Sequence, residues 1–156
     1  MTDKTADALF ATASERAHTA GLPYSGALTP GEAYAILQLE TEAVLVDVRT
    51  AAELAWVGKP VIDDKQYKHI EWTRYPGGVA NPDFLDSLQA VAALDTPVLL
   101  LCRSAARSKS AAKAAAAVGF TRVYDILEGF EGDKDEQGHR KSVGGWCMRG
   151  LPWMGA

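Results

Sequence analysis

Residues 98–119, VLLLCRSAARSKSAAKAAAAVG, join a short apolar run to an alanine-rich run, with one cysteine between them. The apolar run predicts a buried strand over residues 98–101, and the alanine-rich run predicts a helix over residues 105–118 that Gly119 ends. Cys102 then stands just beyond the carboxyl end of the strand, where open α/β sheets bind their ligands. The stretch therefore predicts a strand, a loop and a helix, with a ligand site at Cys102.

The alternation of strands and helices continues on both sides of this unit. One strand is predicted in EAVLVDVR, residues 42–49, which is almost continuously apolar before Asp47, as expected of a strand buried on both faces. Another is predicted in RVYDILEG, from Arg122, and a short one over residues 68–72 in a segment of turn residues and charges. The pattern is typical of an α/β sandwich with a mainly parallel central sheet.

Three further helices are predicted from their start signals and spacing. The first lies in LTPGEAYAILQ, where Thr29 as N-cap, Pro30 at the first helical position and Glu32 form a capping box. The second lies in NPDFLDSLQAVAAL, with Asn81 as N-cap and Pro82 as the first helical residue. A shorter helix is predicted in AAELAWVG, directly after the strand in EAVLVDVR.

The two ends of the chain differ from this alternating middle. Residues 3–20 carry apolar side chains at helical spacing before Gly21, which predicts an amphipathic helix outside the main fold that caps this fold or docks on it. We therefore expect an N-terminal helical extension over residues 1–27 and one main domain over residues 28–156. The last segment is rich in glycine and tryptophan, and two side chains are predicted to anchor it on the body, Trp146 and Trp153.

Length, charge and cysteine content exclude several classes of protein. A chain of 156 residues with 47% hydrophobic residues can bury a substantial core in one domain. A formal net charge of -4 argues against nucleic-acid or anionic-membrane partners, which require a broad basic surface. No run resembles a signal peptide or a membrane span, and two cysteines in unlike settings do not form a disulfide framework. We expect a cytoplasmic protein that binds neither nucleic acid nor a membrane.

The residues after Cys102 are small or basic, in the order Arg103, Ser104, Ala105, Ala106, Arg107 and Ser108. Small residues allow backbone N–H groups to turn toward a bound anion, and the start of the helix adds its positive end. A helix N-terminus with arginines nearby also favours the thiolate form of a cysteine, which is the nucleophilic form. This composition favours a working nucleophile over a small hydrophobe that packs in the core.

The loop that begins at Cys102, CRSAARS, resembles the active-site loop of the rhodanese-type sulfurtransferases, in which a cysteine and an arginine precede small residues, an arginine and a serine. The stretch LVDVRTAAEL is similar to the Asp-Val-Arg strand of that family with its following glutamate, here Asp47, Arg49 and Glu53. DILEGFEG resembles the segment that leads into the Gly-aromatic turn of the family. The resemblance extends over residues 28–153.

The resemblance implies a rhodanese-like α/β sandwich in which helices flank a mainly parallel sheet. It also implies that Cys102 takes a sulfane sulfur from a small anionic donor such as thiosulfate and becomes a persulfide. The persulfide passes this sulfur to cyanide or to a thiol, including a protein thiol. No cofactor is required for this chemistry, and the scattered histidines and two cysteines show no metal-ligand spacing, so we expect no metal.

Residues 103–108 are expected to bind the donor around Cys102. Arg103 and Arg107 supply positive charge, because the planar fork of a guanidinium suits an oxyanion better than the point charge of a lysine, and Arg107 is predicted to bind the donor's charge. Polar support of the loop is assigned to its two serines, Ser104 and Ser108. Asp47 and Arg49 are expected to be structural residues near the site, which tie loops together through an ion pair or hydrogen bond.

Two features depart from the family pattern. Ala105 stands where the family often has a glycine, so a left-handed conformation there would cost about 1 kcal/mol. The segment KHIEWTRYPGG replaces a common Gly-His-Ile-Pro-Gly-Ala segment and retains only His69 and Ile70 from it. We expect one wall of the pocket to differ from the family norm for this reason.

Two other functions remain open alternatives. Phosphatases of the tyrosine-phosphatase type and arsenate reductases need five residues between cysteine and arginine, whereas the loop from Cys102 to Arg107 is one residue shorter. A module that only senses or binds would be marked by loss of the cysteine, which is present. Cys147 could resolve a persulfide on Cys102 as a disulfide if the tail covered the loop, although an incidental thiol is the simpler interpretation.

Overall fold

The computed structural model describes residues 5–155, which form helices packed on a central sheet. The helices are α1 (Ala6–Ala20), α2 (Pro30–Leu39), α3 (Ala51–Val57), α4 (Phe84–Val91) and α5 (Ala106–Ala117). The strands are β1 (Gly26–Leu28), β2 (Val44–Asp47), β3 (Lys59–Pro60), β4 (Tyr67–His69), β5 (Thr73–Arg74), β6 (Val79–Ala80), β7 (Val98–Leu101), β8 (Val123–Ile126) and β9 (Trp153–Met154).

Five strands form a parallel sheet in the order β1-β8-β7-β2-β4. Strands β2, β7 and β8 are buried at every position, which explains their nearly continuous apolar sequences. Two short antiparallel pairs, β3 with β9 and β5 with β6, stand beside this sheet. The predicted α/β sandwich is confirmed, and the short strand expected over residues 68–72 is β4, which begins one residue earlier and ends sooner.

Alternate residues of the strands face two separate core clusters. Leu99 and Leu101 of β7 pack in the cluster that α1, α2 and the C-terminal segment cover. Leu100 packs in the cluster that α4 and α5 cover, and so does Cys102, two positions further along. The period of two along a strand therefore places the cysteine on the α5 side of the sheet.

Two helices begin with capping boxes. Thr29 accepts the backbone N–H of Glu32, and the Glu32 carboxylate accepts that of Thr29, as predicted for α2. Thr50 and Glu53 form the same reciprocal pair at the start of α3. Each box satisfies backbone donors that a helix start leaves unpaired.

The prediction for the start of α4 is wrong. The helix begins at Phe84, with Asp83 in the N-cap position and no side-chain cap, rather than at Pro82 after Asn81. The Asn81 amide oxygen accepts the N–H of Asp83, and its amide nitrogen donates to the carbonyl of Glu71. These bonds hold Asn81 and Pro82 in a turn before the helix.

Helix α1 packs into the core, although the sequence places it outside the main fold. Its residues Leu9, Phe10 and Ala13 are buried in the same cluster as α2, and a Cβ at Gly26 of β1 would lie 2.5 Å from the backbone of Ala13. Asp3, where the helix is predicted to begin, lies outside the described residues. The division between residues 27 and 28 stays a prediction, and β1 spans it.

The C-terminal segment returns over the sheet on the α1 side. Trp146 is fully buried, and its indole N–H donates to the carbonyl of Pro152 at 2.7 Å. Trp153 is 38% exposed and packs edge-on against Phe130. Across residues 5–155, no helix has both the length and the hydropathy that crossing a membrane requires.

Candidate active site

The sulfur of Cys102 lies at the N-terminus of α5, directly after β7. It accepts the backbone N–H of Ala105 at 3.0 Å and that of Ser108 at 3.4 Å. The side chain is 1% exposed. Two amide donors at the start of a helix therefore point at Sγ, an arrangement suited to binding an anionic group at this atom.

Ala105 adopts the left-handed conformation that the sequence suggested for it. Its φ of 81° and ψ of 2° place an alanine where glycine is normally favoured, at a cost of about 1 kcal/mol. The turn at this residue aims its N–H at Sγ of Cys102. The strain is therefore part of the geometry that brings the amide to the sulfur.

The turn after β8 holds the outer side of the loop. The N–H of Phe130 donates to the carbonyl of Cys102 at 2.8 Å, and that of Glu131 donates to the carbonyl of Arg103 at 3.0 Å. The turn can lie this close to the loop because residue 129 is a glycine. A Cβ at Gly129 would lie 2.5 Å from the Arg103 carbonyl oxygen. The loop carbonyls are thus bound by this turn while the Ala105 and Ser108 amides face the sulfur.

A buried carboxylate lies behind Ser108. The Ser108 hydroxyl is 3.4 Å from Sγ of Cys102 and donates to Oδ1 of Asp125. Lys109 donates to Oδ2 of Asp125 at 2.9 Å. Burial raises the pKa of the Asp125 carboxyl, against the opposite influence of Ser108 and Lys109. One hydroxyl therefore connects a fully buried carboxyl to the sulfur.

The second arginine of the loop, Arg107, forms an ion pair with a carboxylate of another helix. Arg107 makes a forked ion pair with Glu53 of α3, with N–O distances of 2.6 and 2.8 Å. Burial alone would raise the pKa of Glu53, but the hydrogen bonds and positive charge of Arg107, together with the hydrogen bonds from Thr50, outweigh it and lower this pKa to about 2. The pair fixes the Arg107 guanidinium beside the loop and offsets much of its charge.

The first arginine of the loop, Arg103, is exposed and faces a cleft of about 390 Å³. Its guanidinium makes no hydrogen bond or ion pair to any residue between 5 and 155. Ser104 is half-buried beside it, and Ala106 is the exposed first residue of α5. The charged and aromatic residues that line the cleft with Arg103 are Glu53, Trp56, Arg74, Tyr75, Glu131 and Arg140.

Asp47 and Arg49 form a fully buried ion pair beneath the site. Arg49 donates to both carboxylate oxygens of Asp47, at 2.9 and 2.7 Å, and the Tyr67 hydroxyl adds a third bond at 2.7 Å. The Arg49 guanidinium also stacks on the ring of Phe130, 4.2 Å from its centroid. The pair joins β2, β4 and the turn after β8.

Cys147 occupies a different environment from Cys102, and both thiols are free. Cys147 is half-buried, and its backbone N–H donates to the carbonyl of Phe130 at 3.1 Å. Burial raises the pKa of its thiol to about 11. A thiol that stays protonated is a poor nucleophile, which favours the interpretation of Cys147 as an incidental thiol.

Sequence reasoning did not identify Asp125 or the partner of Arg107. Asp125 is a single charge inside the apolar strand VYDI, and a charge in a buried strand is a signal of a bonded or functional group. Glu53 stands three residues after Thr50, which is the capping-box pattern, but its contact with Arg107 depends on where α3 lies relative to the start of α5.

Comparisons with known proteins agree with this geometry. The family model for the rhodanese-like domain matches residues 29–136. The crystal structure of Rv0390 from M. tuberculosis is 41% identical, with a TM-score of 0.77, and the match covers 84% of this chain and 98% of that one. An uncharacterized protein of Rickettsia prowazekii (strain Madrid E) is 36% identical over 125 residues, which are 79% of this chain and 92% of that protein.

A solved structure with a stated activity is also similar. The polysulfide-sulfur transferase homodimer from Wolinella succinogenes is 25% identical, with a TM-score of 0.60, and the match covers 97% of this chain and 93% of that one. Residues 29–136, which match the family model, contain the cysteine loop, both loop arginines and the buried ion pair. The chain therefore belongs to the rhodanese-like domain family, a family of sulfurtransferase type.

Proposed function

We propose that the protein is a sulfurtransferase that carries sulfane sulfur on Cys102. The thiolate attacks the outer sulfur of a donor such as thiosulfate, a sulfur–sulfur bond forms, and the donor's own sulfur–sulfur bond breaks. Sulfite leaves with the electron pair of that bond. Attack of cyanide or of an acceptor thiolate on the persulfide then releases Sγ as a thiolate, so no external oxidant or reductant is needed.

The observation that carries this proposal is the pair of backbone amides on Sγ. The N–H groups of Ala105 and Ser108 reach the sulfur from the start of a 12-residue helix. The same donors that stabilise a thiolate also stabilise the negative charge of a persulfide. A cysteine that served only as packing would have no need for donors at its sulfur.

Arg103 and Arg107 are proposed to bind the anionic donor, with unequal shares. Arg107 is bound to Glu53, whereas Arg103 is exposed at the cleft without such a partner among the described residues. An unpaired guanidinium gains more from a bound anion than one whose charge is already offset. We therefore assign the larger share to Arg103, and polar support of the loop to Ser104 and Ser108.

The similarity to the polysulfide-sulfur transferase adds polysulfide as a second donor to test. Intact-protein mass spectrometry after incubation with thiosulfate or polysulfide is the direct experiment. Wild type and Cys147→Ser are expected to gain the mass of one sulfur atom, and Cys102→Ser is expected to gain none. Cyanide should remove the added mass and release thiocyanate.

The outcome against the proposal is equally specific. If wild type gains no mass from either donor, or if Cys102→Ser gains as much as wild type, Cys102 is not the sulfur carrier. The alternative of a module that only binds would then be the better explanation of the retained fold.

Kinetics of two arginine variants test the donor site. Arg103→Gln is expected to raise KM for thiosulfate about tenfold, because loss of one charge-assisted contact costs on the order of 1.5 kcal/mol. Arg107→Gln is expected to raise it less, and Lys113→Gln, on the exposed side of α5, is the control. If KM for thiosulfate were unchanged in both arginine variants, neither arginine would bind the donor.

A further inference from the structure

Asp125 is a fully buried carboxyl group in the middle layer of the fold, within the otherwise uncharged strand β8. A buried carboxyl is costly unless it is bonded, and both of its oxygens are bonded, one to Ser108 and one to Lys109. A purely structural carboxyl would need no contact with the reactive group. The Ser108 hydroxyl nevertheless lies 3.4 Å from Sγ of Cys102.

The direction of the hydrogen bonds is informative. Ser108 has one hydroxyl hydrogen, and it donates this hydrogen to Asp125, so its oxygen presents a lone pair to Sγ of Cys102. That arrangement suits a neutral thiol that donates its own hydrogen to Ser108. A thiolate would face this lone pair and, behind it, a second buried negative charge on Asp125. Two like charges so close in a buried site disfavour each other.

We infer that Ser108 and Asp125 form a proton relay that accepts the thiol proton of Cys102. The S–H bond breaks, its electron pair stays on Sγ, and the proton moves to Oγ of Ser108. The original O–H bond of Ser108 breaks, and that proton moves to Oδ1 of Asp125. Afterwards the neutral carboxylic acid donates to Ser108, and Ser108 donates to the thiolate. The site holds one negative charge before and after the transfer.

The other charged or titratable groups around the relay come from α5, α3 and the segment before β1. From α5, Lys109 holds Oδ2 of Asp125 and leaves Oδ1 to Ser108, and Arg107 lies near the sulfur with its partner Glu53 from α3. From the segment before β1, Tyr24 faces Asp125; burial and then this carboxylate raise the pKa of Tyr24 to about 12. The Lys109 side chain is 49% exposed, whereas that of Asp125 is fully buried.

The relay rests on the proposed function only for the role of Cys102 as a nucleophile, because thiolate formation is measurable without sulfur transfer. The experiment is alkylation by iodoacetamide between pH 6 and 10, followed by peptide mass spectrometry that separates Cys102 from Cys147. We expect Asp125→Asn to slow alkylation of Cys102 about tenfold at pH 7 and less than twofold at pH 10, where hydroxide takes the proton. Cys147 in the same samples should keep its wild-type rate.

Two further variants complete the test. Ser108→Ala removes the middle of the relay and is expected to slow alkylation of Cys102 at pH 7 in the same way, so the test does not depend on the folding of Asp125→Asn. Lys113→Gln, on the same helix and exposed, is the control and should match wild type. Circular dichroism establishes that each variant is folded before its rate is compared.

The sign of the effect separates the relay from other roles of Asp125. If the carboxylate acted only as a nearby negative charge, its removal would favour the thiolate, and alkylation of Cys102 at pH 7 would become faster. If it only tied α5 to β8, the melting temperature would fall and the pH profile of alkylation would not change. Either result overturns the relay, whereas failure of the persulfide experiment alone would not.

Discussion

Cys102 and Cys147 both contact the backbone of Phe130, yet the structure treats the two thiols in opposite ways. Phe130 donates to the carbonyl of Cys102 and accepts from the N–H of Cys147. Cys102 is the more buried of the two, but two amides at a helix start donate to its sulfur. Cys147 is half-buried, and burial raises its pKa to about 11. Donors aimed at the sulfur, rather than exposure, distinguish the two environments.

The largest expected effect comes from breaking the support that Cys102 receives from the turn after β8. Gly129 has a φ of +68°, and a Cβ there would lie 2.5 Å from the Arg103 carbonyl oxygen and 2.6 Å from that of Cys102. Gly129→Ala should therefore lower the free energy of unfolding by about 3 kcal/mol, from overpacking and left-handed strain together. Urea denaturation measures this value.

Gly31→Ala is the matched control, because a Cβ at Gly31 has no neighbour within 4 Å and the residue is in α2. It should leave stability unchanged or raise it by up to about 1 kcal/mol. If the two alanine variants were equally stable, the turn after β8 would not be packed tightly against the cysteine loop.

A smaller effect is expected from the ion pair between Glu53 and Arg107. Glu53→Gln should lower the free energy of unfolding at pH 7 by about 2 kcal/mol, since Arg107 keeps a partly buried charge without its partner. The pKa of Glu53 is lowered from 4.5 to about 2, so the carboxylate stabilises the fold fully above about pH 5 and loses this effect as the pH falls toward 2.

The stability difference between wild type and Glu53→Gln is therefore expected to be constant near neutral pH and to shrink in acid. Glu42→Gln, an exposed residue, serves as the control and should differ little from wild type at any pH. A difference that grew as the pH fell would contradict the assigned sign of the shift. Denaturation curves at a series of pH values decide between these results.

The smallest expected effect on stability comes from the strained residue of the cysteine loop, Ala105. Ala105→Gly should raise the free energy of unfolding by about 1 kcal/mol, because glycine adopts the φ of 81° without steric cost. Ala114→Gly, within α5, is the matched substitution at ordinary helical geometry and should lower stability by about 1 kcal/mol. Thermal unfolding that showed the same sign for both variants would mean that Ala105 is not strained.

Local features of the sequence predicted most of the elements that build the site. The apolar run of β7 and the alanine-rich run of α5 appear where they were predicted, with α5 one residue shorter at each end. Both signals act over a few neighbouring positions, through burial and helix propensity. The start of α4 was predicted incorrectly because Asn81 bonds to Glu71, a partner in another segment.

The amino-acid sequence alone determined that Cys102 follows a buried strand and precedes a helix, since that depends on neighbours along the chain. Tertiary structure decided that Asp125 lies behind Ser108, that Glu53 binds Arg107 and that α1 enters the core. These contacts exist because β8 pairs beside β7 and because α3 approaches the start of α5. Strand order and helix packing join residues that are distant in sequence, and no local periodicity encodes them.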